Sequence, residues 1–160
     1  MTPGDGVRVT TVVDVDPKTA FEVFTGEIGT WWRRDPRYRF DPTRPGTMRF
    51  EGGAGGRLIE AYDESGQDAF EAGRVLAWEP GARLVFEFRG RSFGPGETTE
   101  VEVRFEASGS GTRVTVEQRG WSRLPAGHPA RHGHQGQAFT DMMGLWWADL
   151  LTRLRAHSRR

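Results

Sequence analysis

The stretch Gly73-Arg-Val-Leu-Ala-Trp-Glu-Pro-Gly-Ala-Arg-Leu-Val-Phe-Glu-Phe88 decides the fold class. Two apolar runs rich in β-branched and aromatic residues flank Glu79-Pro80-Gly81, a turn signal, so the stretch reads as two strands joined by a turn. Working outward, strands are expected over 47–51, 56–62, 70–78, 82–89, 98–107 and 112–120. Ser108-Gly-Ser-Gly111 joins the last two as a hairpin. Val101, Val103 and Phe105 alternate with Glu102, Arg104 and Glu106, so one face of that strand is wet. On the N-terminal side, Val7, Val9, Thr11, Val13 and Val15 alternate with Arg8, Thr10, Val12 and Asp14, which is the period of a half-buried strand.

Helices bracket this sheet. Asp16-Pro17 has an N-cap residue followed by proline at the first helical position. Phe21, Val23, Phe24 and Ile28 give the helix its apolar side, and Gly26 and Gly29 break it before Trp31-Trp32. Residues 33–46, rich in Arg, Asp and Pro, read as a loop carrying Tyr38 and Phe40. A second loop spans about 122–136, and a long helix covers 134–157. At about 100° per residue, Phe139, Met142, Met143, Trp146, Trp147, Leu150, Leu151 and Leu154 fall on half of that helix, with Trp146 central among them. Gly144 is its weak point. One antiparallel sheet with helices on one face is an α+β architecture. At 160 residues the chain is expected to be one domain.

Composition narrows the function classes. The 22 basic residues balance the 22 acidic ones, which gives no electrostatic reason to expect nucleic acid or an anionic membrane as partner. Cysteine is absent, so no disulfide or thiolate metal site can form. No apolar run approaches the roughly 20 residues of a membrane span, and the N-terminus lacks a signal-peptide pattern, so a cytoplasmic protein is expected. No Ser-His-Asp or phosphate-loop signature appears; Gly52-Gly-Ala-Gly-Gly56 joins two strands and opens no helix. His128, His132 and His134 share a Gly/Pro loop with no carboxylate at ligand spacing. They are expected to be exposed imidazoles, with no metal and no cofactor. Glu60, Glu71 and Arg74 lie on adjacent strands whose inward faces cannot be assigned, because both faces carry apolar residues; solvated ion pairs are the preferred reading.

The order of elements and several motifs resemble the START-like, helix-grip (SRPBCC) superfamily, closest to the group named after the Hsp90 ATPase activator homologues. The resemblance rests on Pro17 to Trp32 with Phe24 and Trp31-Trp32, on Gly52-Gly53, and on Gly73-x-Val75 through Glu79-Pro80 to Leu84-Val85-Phe86. It extends to Gly109–Thr112 leading into Val114-Thr-Val116, and to Trp147-x3-Leu151-x2-Leu154. Gly81 stands where the family often has a second proline, and Trp146 where it often has glycine. The resemblance implies a sheet wrapped around the C-terminal helix with a ligand cavity between them.

Six tryptophans and the methionines support such a site, because buried Trp favours a polar contact at its N–H and Met fits irregular apolar shapes. The candidate ligand-binding residues are Trp31, Trp32, Met48, Phe50, Phe86, Phe88, Phe105, Trp121, Met142, Met143 and Trp146. The expected function is binding of a small hydrophobic or amphipathic molecule by a monomer or homodimer. A cyclase or aromatase-type enzyme and a co-chaperone or protein-interaction module are the alternatives, and no catalytic residue is assigned.

Overall fold

The computed structural model describes residues 5–125, 127–134 and 136–159. The period-two run forms β1, Gly6–Val13. Two short helices follow, α1 (Pro17–Gly26) and α2 (Ile28–Trp31). Then come β2 (Thr47–Glu51), β3 (Arg57–Ala61), β4 (Ala69–Glu79), β5 (Arg83–Phe88), β6 (Thr99–Ser108) and β7 (Gly111–Arg119). The long helix α3 spans Gly136–Ser158. All seven strands make one antiparallel sheet in the order β1-β7-β6-β5-β4-β3-β2. The expected architecture is therefore present, with each element within two or three residues of its expected bounds. Among the described residues no helix is long and apolar enough to cross a membrane.

The inner face of the sheet is built from alternate residues. Val101, Val103 and Phe105 of β6 stand beside Val114 and Val116 of β7 and Leu84, Phe86 and Phe88 of β5, all buried. The regular alternation fails in β4, which carries register shifts against both neighbours. Val75 pairs with Phe86 and Trp78 with Leu84, and all four belong to the core or pack on it, although three positions separate Val75 from Trp78. Bulges of this kind insert a residue and switch parity. Leu76, at the shift, is left half exposed. This is why the faces of β3 and β4 could not be assigned from the sequence.

Asp16 sits at the N-cap of α1 with extended backbone, but its side chain makes no capping bond; its carbonyl accepts from the Ala20 N–H. Gly29 lets α2 approach the sheet edge. A Cβ there would meet Thr47 Cγ2 at 2.7 Å and the Met48 carbonyl at 3.0 Å.

The buried stripe of α3 is narrower than the sequence implies. Phe139, Met143, Trp147, Leu150, Leu151 and Leu154 are buried, whereas Met142 and Trp146 are partly exposed. Trp147, fully buried, holds the central place expected for Trp146. Gly144 lies over β1, where a Cβ would meet only Val7 Cγ2, at 3.5 Å. That is ordinary contact, so Gly144→Ala is expected to raise stability by about 1 kcal/mol in urea unfolding through helix propensity alone. A loss would show that the helix needs closer approach at this point.

The outer face carries an ion network centred on Glu102, whose side chain bonds Arg83 Nε at 2.6 Å, Arg119 Nη1 at 2.9 Å and Arg104 Nη2 at 2.8 Å. Burial works to raise the Glu102 pKa, but the hydrogen bonds from Arg83 and Arg119 and the charge of Arg104 outweigh it and hold the carboxyl below its ordinary value. A carboxyl depressed in the folded state contributes stability above its unfolded pKa and loses it as the pH falls through the folded one. Glu102→Gln is therefore expected to cost about 1–3 kcal/mol at neutral pH, with the deficit shrinking as the pH falls below the ordinary Glu value of about 4.3 and through the lower folded one. Urea unfolding at a series of pH values measures it, and a deficit independent of pH would contradict the assignment.

Candidate ligand-binding site

The space between α3 and the sheet holds a continuous aromatic set. Trp32 contacts Trp146 at 5.8 Å, Trp147 at 6.0 Å and Phe88 at 6.2 Å between ring centroids. Phe88 in turn meets Trp146, Trp147 and Phe86, and Phe86 meets Phe50. Of the residues named from the sequence, Trp31, Trp32, Phe50, Phe86, Phe88 and Trp146 thus join one cluster. Met48 and Met143 are buried in the same core, and Met142 packs against it. Phe105 lies under α1 against Phe21 and Phe24 and joins the cluster through the Phe24 contact with Trp31. Trp121 lies at the opposite end, against Phe139 and Phe93.

Polar contacts fix the rings. Trp31 Nε1 donates to the Phe24 carbonyl and Trp32 Nε1 to the Tyr38 carbonyl. Trp147 Nε1 donates to Gln118 Oε1 at 2.8 Å, Gln118 Nε2 donates to Thr99 Oγ1, and Thr99 Oγ1 donates to the Phe88 carbonyl. This chain is wholly buried and its members are paired.

Residues 33–46 form a strap that bridges α3 and the far half of the sheet. Tyr38 stacks on Trp146 at 5.1 Å, and Phe40 stacks on Phe70 at 5.1 Å and meets Phe88 edge-on. The strap is latched at two points. On α3, Asp149 accepts from Tyr38 Oη at 2.5 Å and from Arg33 Nη1 and Arg37 Nη2, each at 3.3 Å. Burial, then the bond to Asp149, pushes the Tyr38 pKa up to about 12. On β3, Glu60, only 2% exposed, accepts the backbone N–H groups of Phe40 and Asp41 and the Tyr62 hydroxyl. Glu60 faces inward, paired across the sheet with Met48 and Phe70. Glu71 instead joins Arg57 and the exposed Arg74 in a solvated ion pair. Glu60, expected in a solvated ion pair, is instead buried on main-chain N–H groups and a hydroxyl. Tyr38, Phe40 and Asp149 are not among the residues the sequence marks for the site; the alternation of Tyr38 and Phe40 in a polar loop is the one signal for those two, and Asp149 leaves none.

At the other end, His132 and His134 are exposed as expected, and one loop histidine departs from expectation. His128 is buried: Nε2 donates to Glu97 at 3.0 Å and Nδ1 accepts from the Ala130 N–H. Glu97 is held below its ordinary pKa by the Gly94 N–H and then by His128. The carboxylate that the sequence did not reveal comes from the β5–β6 loop, distant in the chain. Both nitrogens of His128 are engaged, so the pair fastens two loops together. Among the described residues no three His, Asp or Glu side chains are grouped to hold a metal ion.

Two clefts lie outside the space between α3 and the sheet. A cleft of about 640 Å³ runs outside the grip, between α2 and the β2 edge, lined by Ile28, Gly29, Arg34, Thr47, Arg49 and Asp63 among others. A second, of about 380 Å³, lies over the charged outer face at Arg8, Arg104 and Glu117. Between α3 and the sheet, side chains pack on one another.

The profile of the family described as "Activator of Hsp90 ATPase homolog 1-like protein" matches residues 14–157. The chain belongs to this family. No match is found among curated proteins. Among solved structures, protein MLL2253 from Mesorhizobium loti is 18% identical with a TM-score of 0.64, over 94% of each chain. DynU16, a protein of the dynemicin biosynthetic locus, is 20% identical with a TM-score of 0.61; 97% of this chain is covered but only 47% of DynU16. Txn09, an anthrahydroquino-γ-pyrone synthase complexed with SUM, is 27% identical with a TM-score of 0.55, over 96% of this chain and 97% of that one. The helix-grip fold is thereby established for this family member.

The two helix tryptophans separate packing from lining. Trp147→Ala is expected to cost about 3–5 kcal/mol in urea unfolding, the range for a large buried side chain. Trp146→Ala should cost markedly less, since Trp146 is partly exposed and its N–H reaches only the Arg37 carbonyl, at 3.4 Å. Equal costs would place the two side chains in equivalent environments and contradict the helix rotation described here.

Proposed function

We propose that this family member holds a flat, largely apolar small molecule against the aromatic set between α3 and the sheet, with the 33–46 strap as its cover. The observation that carries the reading is the construction of the wall over Trp146. Neither sheet nor helix closes that side; Tyr38 and Phe40 do, on a loop latched by Asp149 and Glu60. Lifting the strap uncovers Trp32, Phe88 and Trp146 without breaking a strand or a helix. Aromatic faces favour offset or edge-on partners of their own kind, so a planar ring system replaces Tyr38 and Phe40 at little cost. The likeness to Txn09 supports a ring-containing ligand.

The test uses the uncharged dye N-phenyl-1-naphthylamine, which brightens in apolar surroundings. The wild-type protein is expected to bind it, with quenching of tryptophan emission. Asp149→Ala, which releases Tyr38, Arg33 and Arg37 together, should tighten binding about fivefold, because a partly exposed latch is worth about 1 kcal/mol. Absence of binding in both proteins would sink the reading. Binding unchanged by Asp149→Ala would remove the strap from it.

A further inference from the structure

We infer that the loop end of the grip receives an acidic oxygen of the bound molecule between the Trp121 indole N–H and the Arg131 guanidinium, so that the ligand is an aromatic carboxylate. This rests on the ligand-holding reading above.

Trp121 follows β7 in a 3-10 turn and is 4% exposed. Its ring lies 4.6 Å from Phe139 and 6.1 Å from Phe93. Its Nε1 is buried and has no hydrogen-bond partner among the described residues. The N–H of a buried tryptophan usually has a partner, and leaving the donor unmet costs about 1–3 kcal/mol. A phenylalanine would fill an apolar site without that cost.

Arg131 is beside it and 6% exposed. Its Nε donates to the Pro125 carbonyl, and Nη2 to the carbonyls of Trp121 and Leu124. Its guanidinium carbon stands 5.2 Å from the centroid of Phe139, the ring on which Trp121 also packs. Carbonyl dipoles orient this cation but do not neutralise it. None of the ion pairs among the described residues includes Arg131, and the nearby Glu97 is committed to His128 and the Gly94 N–H. The first turn of α3, which carries Phe139 near its start, contains no acidic residue. A buried charge is normally matched by an opposite one.

The opposite end differs. There the Arg33 and Arg37 guanidiniums and the Tyr38 hydroxyl all converge on Asp149, so the positive charge is already met. Arg33 Nε and Arg39 Nε are also unpartnered, but Arg33 keeps its ion pairs to Asp35 and Asp149, and the Arg39 side chain is partly open to water. Among the described residues, an unmet charge and an unmet donor on side chains that are both buried coincide around Phe139. Phe139 and Trp146 are seven residues apart on α3, about 10 Å along its axis, which is the length of a few fused rings. A ring system lying from Trp146 to Phe139 would bring an acidic substituent to Trp121 and Arg131.

The test is displacement of N-phenyl-1-naphthylamine by 2-naphthoate and by the neutral 2-naphthylmethanol. The wild-type protein is expected to prefer the acid by about tenfold or more, the worth of a hydrogen bond to a charged group. Trp121→Phe keeps an aromatic ring but removes the five-membered ring with its N–H; it should abolish most of that preference, read as the ratio of acid to alcohol affinity in the same variant. Arg131→Gln is the second variant, judged after a thermal melt shows it folded, and should act in the same direction. Equal affinity for acid and alcohol in the wild type would overturn the inference while leaving ligand holding intact, as would a preference that survives Trp121→Phe. Failure of the dye and both naphthalenes to bind would remove the holding function and this site with it.

Discussion

The structure depends on the hydrogen bond from Trp147 to Gln118. The N–H of an indole buried in an apolar interface usually has a partner, and for Trp147 β7 supplies one from its inner face. Gln118 is in turn held by Thr99, whose hydroxyl donates to the carbonyl of Phe88. One polar chain thus ties the helix to β7, β6 and β5. It fixes not only where α3 lies but also its rotation about its own axis. With Trp147 turned to the sheet, Trp146 points about 100° away, towards the strap, and Leu145 is left 74% exposed.

That rotation sets the rest of the site. Trp146 becomes the floor for Tyr38, and Asp149, three residues further on, becomes the acceptor for the strap's Tyr and Arg side chains. The strap itself is poor in apolar residues and gains its position from polar contacts at both ends. Glu60 does on the sheet what Asp149 does on the helix, accepting main-chain N–H groups that a loop would otherwise leave to solvent. The interior is sealed by hydrogen bonds, which are directional and locally breakable, instead of by further apolar packing. The other end is sealed similarly, by His128 with Glu97 and by Arg131 with three carbonyls.

The sequence by itself determined the elements, their order and the α+β class, because these follow from local periodicity: two along β1, β6 and β7, and 3.6 along α3. It also marked the aromatic residues that came together between helix and sheet, and the glycine, Gly26, that ends α1. It could not set the inner faces of β3 and β4, since parity there is reset by bulges that arise from pairing with neighbours. It could not separate Trp146 from Trp147, because two adjacent residues share one broad apolar stripe until a partner, Gln118, selects between them. Nor could it find Asp149 for the Tyr38 hydroxyl, the strap N–H groups for Glu60 or Glu97 for His128, which lie 19 to 111 residues away in the chain. Hydrogen bonds across such separations leave no periodic trace. They are fixed only when the packed sheet and helix bring donor and acceptor within 3 Å or so, and that is a property of the tertiary structure alone.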